Sequence, residues 1–153
     1  MKTITTIACA LLGLLAGSTL AFSHDTHVHQ TYSAGEPGDP KKPSRTVEVD
    51  MSEMKYAPTS IEVKRGEQIR FVIRNIGEEE HEFMLATTEE NLKHAEDMQK
   101  QPHMDHDDPN EVRLNPKKST ELVWKFTKPG TFEYSCLIPG HRENGMIGKV
   151  TVK

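Results

Sequence analysis

From residue 45 onward the chain alternates apolar and polar positions with the two-residue period of half-buried strands. Arg45-Thr-Val-Glu-Val-Asp-Met51 carries this pattern, and Ser60-Ile-Glu-Val-Lys64 repeats it. Residues 68–76 form a longer run with a more apolar middle, joined to the previous one by the turn Lys64-Arg-Gly-Glu67. Asn75-Ile-Gly77 closes that third strand, and His81-Glu-Phe-Met-Leu-Ala86 opens a fourth. The period then changes. Thr87 and Glu90 have the spacing of a capping box, and the helix formers after them predict a helix over 88–100. Residues 101–109 read as a loop. Glu111-Val-Arg-Leu114 is short and strand-like, Asn115-Pro-Lys-Lys is a turn, and residues 120–126 alternate again. After the turn Lys128-Pro-Gly130, residues 130–136 lead into a turn-rich loop, and Lys149-Val-Thr-Val-Lys153 forms the last extended run. Short strands at regular spacing, with turn signals between them, predict an all-β sandwich with one short helical excursion and no internal repeat.

The part before residue 45 has a different character. Lys2 is followed by a mostly apolar stretch from Ile4 to Leu20, and Ala21-Phe-Ser23 fits a small-x-small cleavage pattern. Residues 1–23 therefore read as a secretory signal peptide, cleaved after Ser23 or after Ala21. Residues 24–44 are polar, rich in Gly, Pro and Ser, and read as a flexible tail carrying His24, His27 and His29. The globular domain is then 45–153. This organisation implies export to the periplasm, with no membrane anchor once the signal is removed.

Composition narrows the class. The chain has 153 residues with a formal net charge of −4, so nothing favours nucleic-acid binding. One domain of this size has enough interior for a real core, and a monomer is expected. Of the two cysteines, Cys9 leaves with the signal and Cys136 remains alone. An exported protein normally pairs its cysteines, and ligation of a metal is a good reason for one left over.

The loop after residue 136 supplies that reason. Cys136, His141 and Met146 stand at even steps of five in Cys-Leu-Ile-Pro-Gly-His-Arg-Glu-Asn-Gly-Met. A lone buried Cys or Met is ordinarily core filler. A thiolate, an imidazole and a thioether from one loop are the ligand set of a copper electron-transfer site, which needs one further His. His81 suits that role, because it opens a strand at the end of a sheet, where a sandwich can set it beside the C-terminal loop.

The segment from Gly130 to Val150 resembles the copper loop of the cupredoxins, the type 1 copper proteins of rusticyanin and plastocyanin type. The Cys-x4-His-x4-Met spacing is most similar to rusticyanin. The resemblance covers residues 45–153, specific at the loop and looser elsewhere. With its signal, its His-bearing tail and its His/Met-rich excursion, the whole chain looks like the periplasmic copper-resistance cupredoxins. The resemblance implies a Greek-key β-sandwich with one type 1 copper. His81, Cys136 and His141 would be its equatorial ligands and Met146 its axial ligand, with His141 nearest the surface. One position departs from the pattern. Many cupredoxins carry Asn or Ser after the first ligand His, bonding toward the thiolate, and here Glu82 stands there.

Further histidines and methionines cluster outside this set. His94 and Met98 are four apart on the expected helix, and His103, Met104 and His106 follow in the loop. They suit an accessory copper site, as do His24, His27 and His29; they equally suit a polar excursion with one Met packed inward and a solvated tail. The function expected is copper binding for tolerance, with a one-electron redox centre and a redox or copper-handling protein as partner. The alternative is a soluble electron shuttle. An enzyme is not expected. Cys136 is flanked by Ser135 and Leu137, not by the His that multicopper oxidases use to reach a trinuclear cluster, and no second Cys lies near Gly140.

Overall fold

The computed structural model describes residues 32–100 and 108–153. The signal-like segment and the histidines at 24, 27, 29, 103 and 106, with Met104, lie outside them. Two five-stranded sheets form the domain. The first runs β1 (Glu36–Pro37), β8 (Ser119–Lys125), β5 (Gln68–Asn75), β2 (Arg45–Ser52), β3 (Lys55–Ala57). The second runs β4 (Ser60–Val63), β10 (Ile147–Val152), β9 (Gly130–Ser135), β6 (His81–Ala86), β7 (Glu111–Leu114). β2 lies parallel to β5, and β10 parallel to β4; the other pairings are antiparallel.

The alternating pattern decides which residues meet between the sheets. β5 buries Ile69, Phe71 and Ile73 and leaves the positions between them half-exposed. β2 adds Val49 and Met51, and β8 adds Leu122 and Trp124. From the other sheet come Ile61, Val63, Phe83, Leu85, Phe132, Tyr134, Val150 and Val152, which complete one apolar core. Tyr134 stacks on Phe83 at 5.1 Å and meets Tyr56 edge-on at 5.0 Å. The close approach needs Gly148, because a Cβ there would fall 2.1 Å from the Tyr134 ring.

The helix α1 (Thr88–Lys100) has the bounds its sequence predicts, and the capping box forms at its start. The Thr87 N–H donates to Glu90 Oε2 at 2.9 Å, and the Glu90 N–H donates to Thr87 Oγ1 at 3.2 Å. The helix covers the outer face of β6, so β6 is buried on both faces. Phe83 and Leu85 enter the main core, while Met84 and Ala86 pack with Leu137 and Ala95 under the helix.

Two short strands escape the sequence pattern. β3 is only three residues long. β1 falls inside the stretch expected to be a flexible tail. Instead, Glu36 and Pro37 pair with Lys125 and Trp124, Ala34 is fully buried, and Tyr32 meets Trp124 edge-on at 5.5 Å. The domain therefore extends from at least Tyr32. Pro and Gly hide this edge in the sequence, because its anchoring comes from an aromatic contact, a two-residue pairing and scattered hydrogen bonds to β5 and β8 and not from periodic burial.

Candidate metal centre

The centre forms where β6 and β9 end side by side. Along β9 the inward residues are Phe132 and Tyr134, and the next inward position, just past the strand, is Cys136. His81 is the first residue of β6 and is fully buried. The chain then turns through residues 137–146 and brings His141 back. Gly140 (φ 89°) and Gly145 (φ 98°) take left-handed backbone that other residues resist. Main-chain bonds close the loop, from the His141 N–H to Ile138 O at 3.0 Å, the Met146 N–H to His141 O at 3.1 Å and the Cys136 N–H to Met146 O at 3.2 Å.

Two imidazole nitrogens and a sulfur converge there. His81 Nδ1 and His141 Nδ1 are 3.3 Å apart, Cys136 Sγ is 3.3 Å from His141 Nδ1, and all three donor atoms lie within 4.8 Å of one another. Among the described residues this is the only such group of His, Cys and carboxylate side chains. Met146 is fully buried in the same core cluster as Cys136. His141 is 8% exposed, whereas His81, Cys136 and Met146 show no exposure. His141 thus lies closest to the surface of these four side chains.

The electrostatics suit a metal. Burial pushes the Cys136 thiol up to about 11, against the Glu82 and Ile138 N–H groups that favour the thiolate. Without a cation the sulfur keeps its proton, and a metal ion displaces it. Burial and the neighbouring His141 ring hold the His81 imidazole below its ordinary value, only partly countered by Glu53 and Glu79, so the ring offers a neutral lone pair. Two nitrogens and a sulfur with a buried thioether nearby are the donor set of copper sites of the blue type.

The Glu82 position resolves differently from the resemblance's usual Asn or Ser. Its main-chain N–H donates to Cys136 Sγ at 3.3 Å. Its carboxylate turns to the opposite face and accepts the Leu137 N–H at 3.1 Å, with Arg113 Nη1 3.5 Å away. The bond to sulfur is therefore kept by the backbone, and the side chain ties β6 to the ligand loop. Tyr56 adds a hydrogen bond to the Glu82 carbonyl.

The profile of the copper binding proteins of the plastocyanin/azurin family matches residues 43–153. The chain belongs to this copper-binding family. A copper-resistant cuproprotein, CopI, from Rubrivivax gelatinosus is 49% identical over 138 residues, covering 90% of this chain and 82% of that protein. A CopI from Pseudomonas aeruginosa is 35% identical over 148 residues, covering 78% of this chain and 82% of its own length. Among solved structures, auracyanin B superposes with a TM-score of 0.65 at 25% identity, covering 78% of this chain and 96% of its own. The fold is thus the cupredoxin β-sandwich with a short helix, and the His-Cys-His cluster fits a type 1 copper site. No helix among the described residues is long and apolar enough to cross a membrane.

Of the accessory candidates, His94 and Met98 fall among the described residues. Met98 is on α1 and is buried. His94 lines a cavity of about 320 Å³ with Met84, Asp97, Asp108 and Asn110, and its Nε2 is 3.8 Å from Glu111 Oε2. Glu111 is a group that sequence reading passes over. Burial lifts its carboxyl to about 7, aided by the charges of Glu82 and Asp108 and opposed by Arg113. A carboxyl raised on folding contributes stability below the ordinary carboxyl range and loses it as pH rises through about 7. We expect Glu111→Gln to stabilise the metal-free protein above that pH, on the order of 3 kcal/mol, and to change little at pH near 4. Urea unfolding at pH 8.5 and at pH 4, values set on either side of the transition, tests this; an equal effect at both would exclude it.

Proposed function

We propose that this cupredoxin is a periplasmic copper-resistance protein whose copper would be held by His81, Cys136 and His141, with the buried Met146 thioether as a fourth, weaker donor. The observation that carries this reading is the convergence of the three donor atoms at the ends of β6 and β9. The relatives at 49% and 35% identity are named as copper-resistant cuproproteins, which supports the tolerance role. Copper bound there supplies one-electron exchange between Cu(I) and Cu(II). The chain's own part is rigidity: strand ends fix His81 and Cys136, and main-chain bonds across residues 136–146 hold His141 and Met146 in register. Little then has to rearrange when the charge of the centre changes. His141 is the route for electrons, being the ligand closest to solvent. The protein exchanges an electron or a metal ion with a redox or copper-handling partner, acts as a monomer and is not itself an enzyme. His24, His27 and His29, and His94, Met98, His103, Met104 and His106, are candidates for accessory copper.

A copper titration of the protein from residue 24 onward separates tolerance from a plain electron shuttle. Visible absorption should saturate at about one copper per chain, while total bound copper continues to rise. Replacing His94, Met98, His103, Met104 and His106 together should leave the visible band intact and reduce total copper. If all binding stops when the band saturates, the accessory sites are wrong and the shuttle role is favoured.

A further inference from the structure

Both ring histidines turn Nδ1 toward the sulfur, so both turn Nε2 outward. The outer nitrogen of His81 is fully buried and makes no hydrogen bond. Two carboxylates act on this ring, Glu53 and Glu79, and Glu53 Oε1 lies 3.9 Å from the nitrogen. A polar ring nitrogen shut away from water normally requires a partner.

Glu53 is held there by its surroundings. It sits at the turn between β2 and β3, just before Met54, which takes left-handed backbone at φ 59°. Its Oε1 accepts the N–H of Glu78 and, at 3.2 Å, the N–H of Glu79. These bonds fix the carboxylate beside the ring. The segment that donates them is stitched in turn by Asn75, whose Oδ1 accepts the Gly77 N–H at 3.0 Å and whose Nδ2 donates to Glu79 O at 2.7 Å. Gly77 leaves room for the carboxylate, because a Cβ there would stand 2.4 Å from Glu53 Oε1. Glu79 offers a parallel at His141, 3.6 Å from Nε2; its side chain is 57% exposed and that of Glu53 45%, but Glu53 is fixed by two main-chain N–H groups and faces a fully buried nitrogen.

We propose that Glu53 is a positioning residue of the copper centre that acts through the outer nitrogen of His81. The inference rests on the ligand reading above. Metal-bound histidines usually present the other ring N–H to a carboxylate or carbonyl, which fixes the tautomer and strengthens the ligand. Here the carboxylate keeps the proton of His81 on Nε2, leaves Nδ1 free for copper, and places a negative charge behind the ring. That charge favours the more positive oxidation state, so Glu53 biases the centre toward Cu(II).

The test is the reduction potential of the copper-loaded full protein. Glu53→Gln keeps an acceptor oxygen for the Glu78 and Glu79 N–H groups and removes the charge. The preference for Cu(II) over Cu(I) should fall about tenfold, within the range for such outer partners. For one electron that reads as a rise of about 59 mV. The visible band should persist, because every ligand remains. Gly77→Ala, which crowds the carboxylate away, should raise the potential in the same direction. Glu121→Gln, on the far sheet beside Arg70, removes an equal charge and should leave the potential alone. A Glu53→Gln protein with the visible band and the wild-type potential overturns the inference, as does a Glu121→Gln shift of equal size. Should Glu53→Gln not fold, an unmoved potential in Gly77→Ala overturns it equally. Absence of the band in the wild-type protein would instead strike the ligand reading itself.

Discussion

Cys136→Ala should abolish the intense visible absorption of the copper-loaded protein. The band of a type 1 centre requires a thiolate bound to Cu(II), and Cys136 is the only cysteine among the described residues. The apo thiol is buried and pushed up to about 11, so the metal must displace its proton. The variant removes that donor and leaves His81 and His141, whose Nδ1 atoms remain 3.3 Å apart in the wild-type arrangement. Those two imidazoles can still take Cu(II), but weakly and with only faint colour. The substitution swaps one small apolar side chain for another, so the apo fold should survive. Absorption spectra and copper affinity at matched loading decide the matter. A strong band in the variant would sink the assignment of Cys136 as ligand.

Glu133→Ala should produce the largest loss of stability. Glu133 lies on the helix-facing side of β9, with its side chain 7% exposed. It receives Arg142 Nη2 at 2.8 Å, Thr88 Oγ1 at 2.9 Å and Asn91 Nδ2 at 3.2 Å. One carboxylate therefore binds the start of α1 and the residue after His141 to the same strand. Removing it leaves the Arg142 guanidinium, 16% exposed, without its partner. Breaking a pair this buried costs about 3–5 kcal/mol. Burial alone would raise the Glu133 carboxyl, but Arg142, Thr88 and Asn91 outweigh it and hold the group below its ordinary value. Its contribution is therefore present above the ordinary carboxyl range and lost as pH falls through the lowered folded value. Urea unfolding of the metal-free proteins should show the full difference at pH 7 and a smaller one in acid. A difference below about 1 kcal/mol at pH 7 would show that the network contributes little net stability.

Much of the metal centre was legible because its signal is local. Cys136, His141 and Met146 come from one loop, and a spacing of five survives in the linear chain. Residue types that converge in so short a stretch need no knowledge of the fold. The helix was equally readable, because the Thr87–Glu90 capping box acts over three residues. β5 was readable because Ile69, Phe71 and Ile73 bury every second position.

The polar shell around the centre follows other rules. Glu53 reaches Glu78 across 25 residues, and Glu82 reaches Leu137 across 55. Glu133 meets Thr88 from 45 residues away. Each of these carboxylates occupies a polar position and reads as solvated. For Glu82 and Glu133 the pattern records only the face, which becomes interior where α1 covers β6 and β9, and Glu53 lies in a turn that carries no pattern. The same limit hid β1, which is anchored by pairing with β8, the Glu36–Lys125 ion pair and Tyr32 against Trp124.

The amino-acid sequence by itself determined the sandwich, the helix with its cap, and the donor set offered to copper, because periodicity, capping and loop spacing are short-range properties. Only the tertiary structure decided which carboxylates stand near His81 and beneath the ligand loop, and which main-chain N–H meets the thiolate. Those placements depend on strands and a helix from distant parts of the chain coming together.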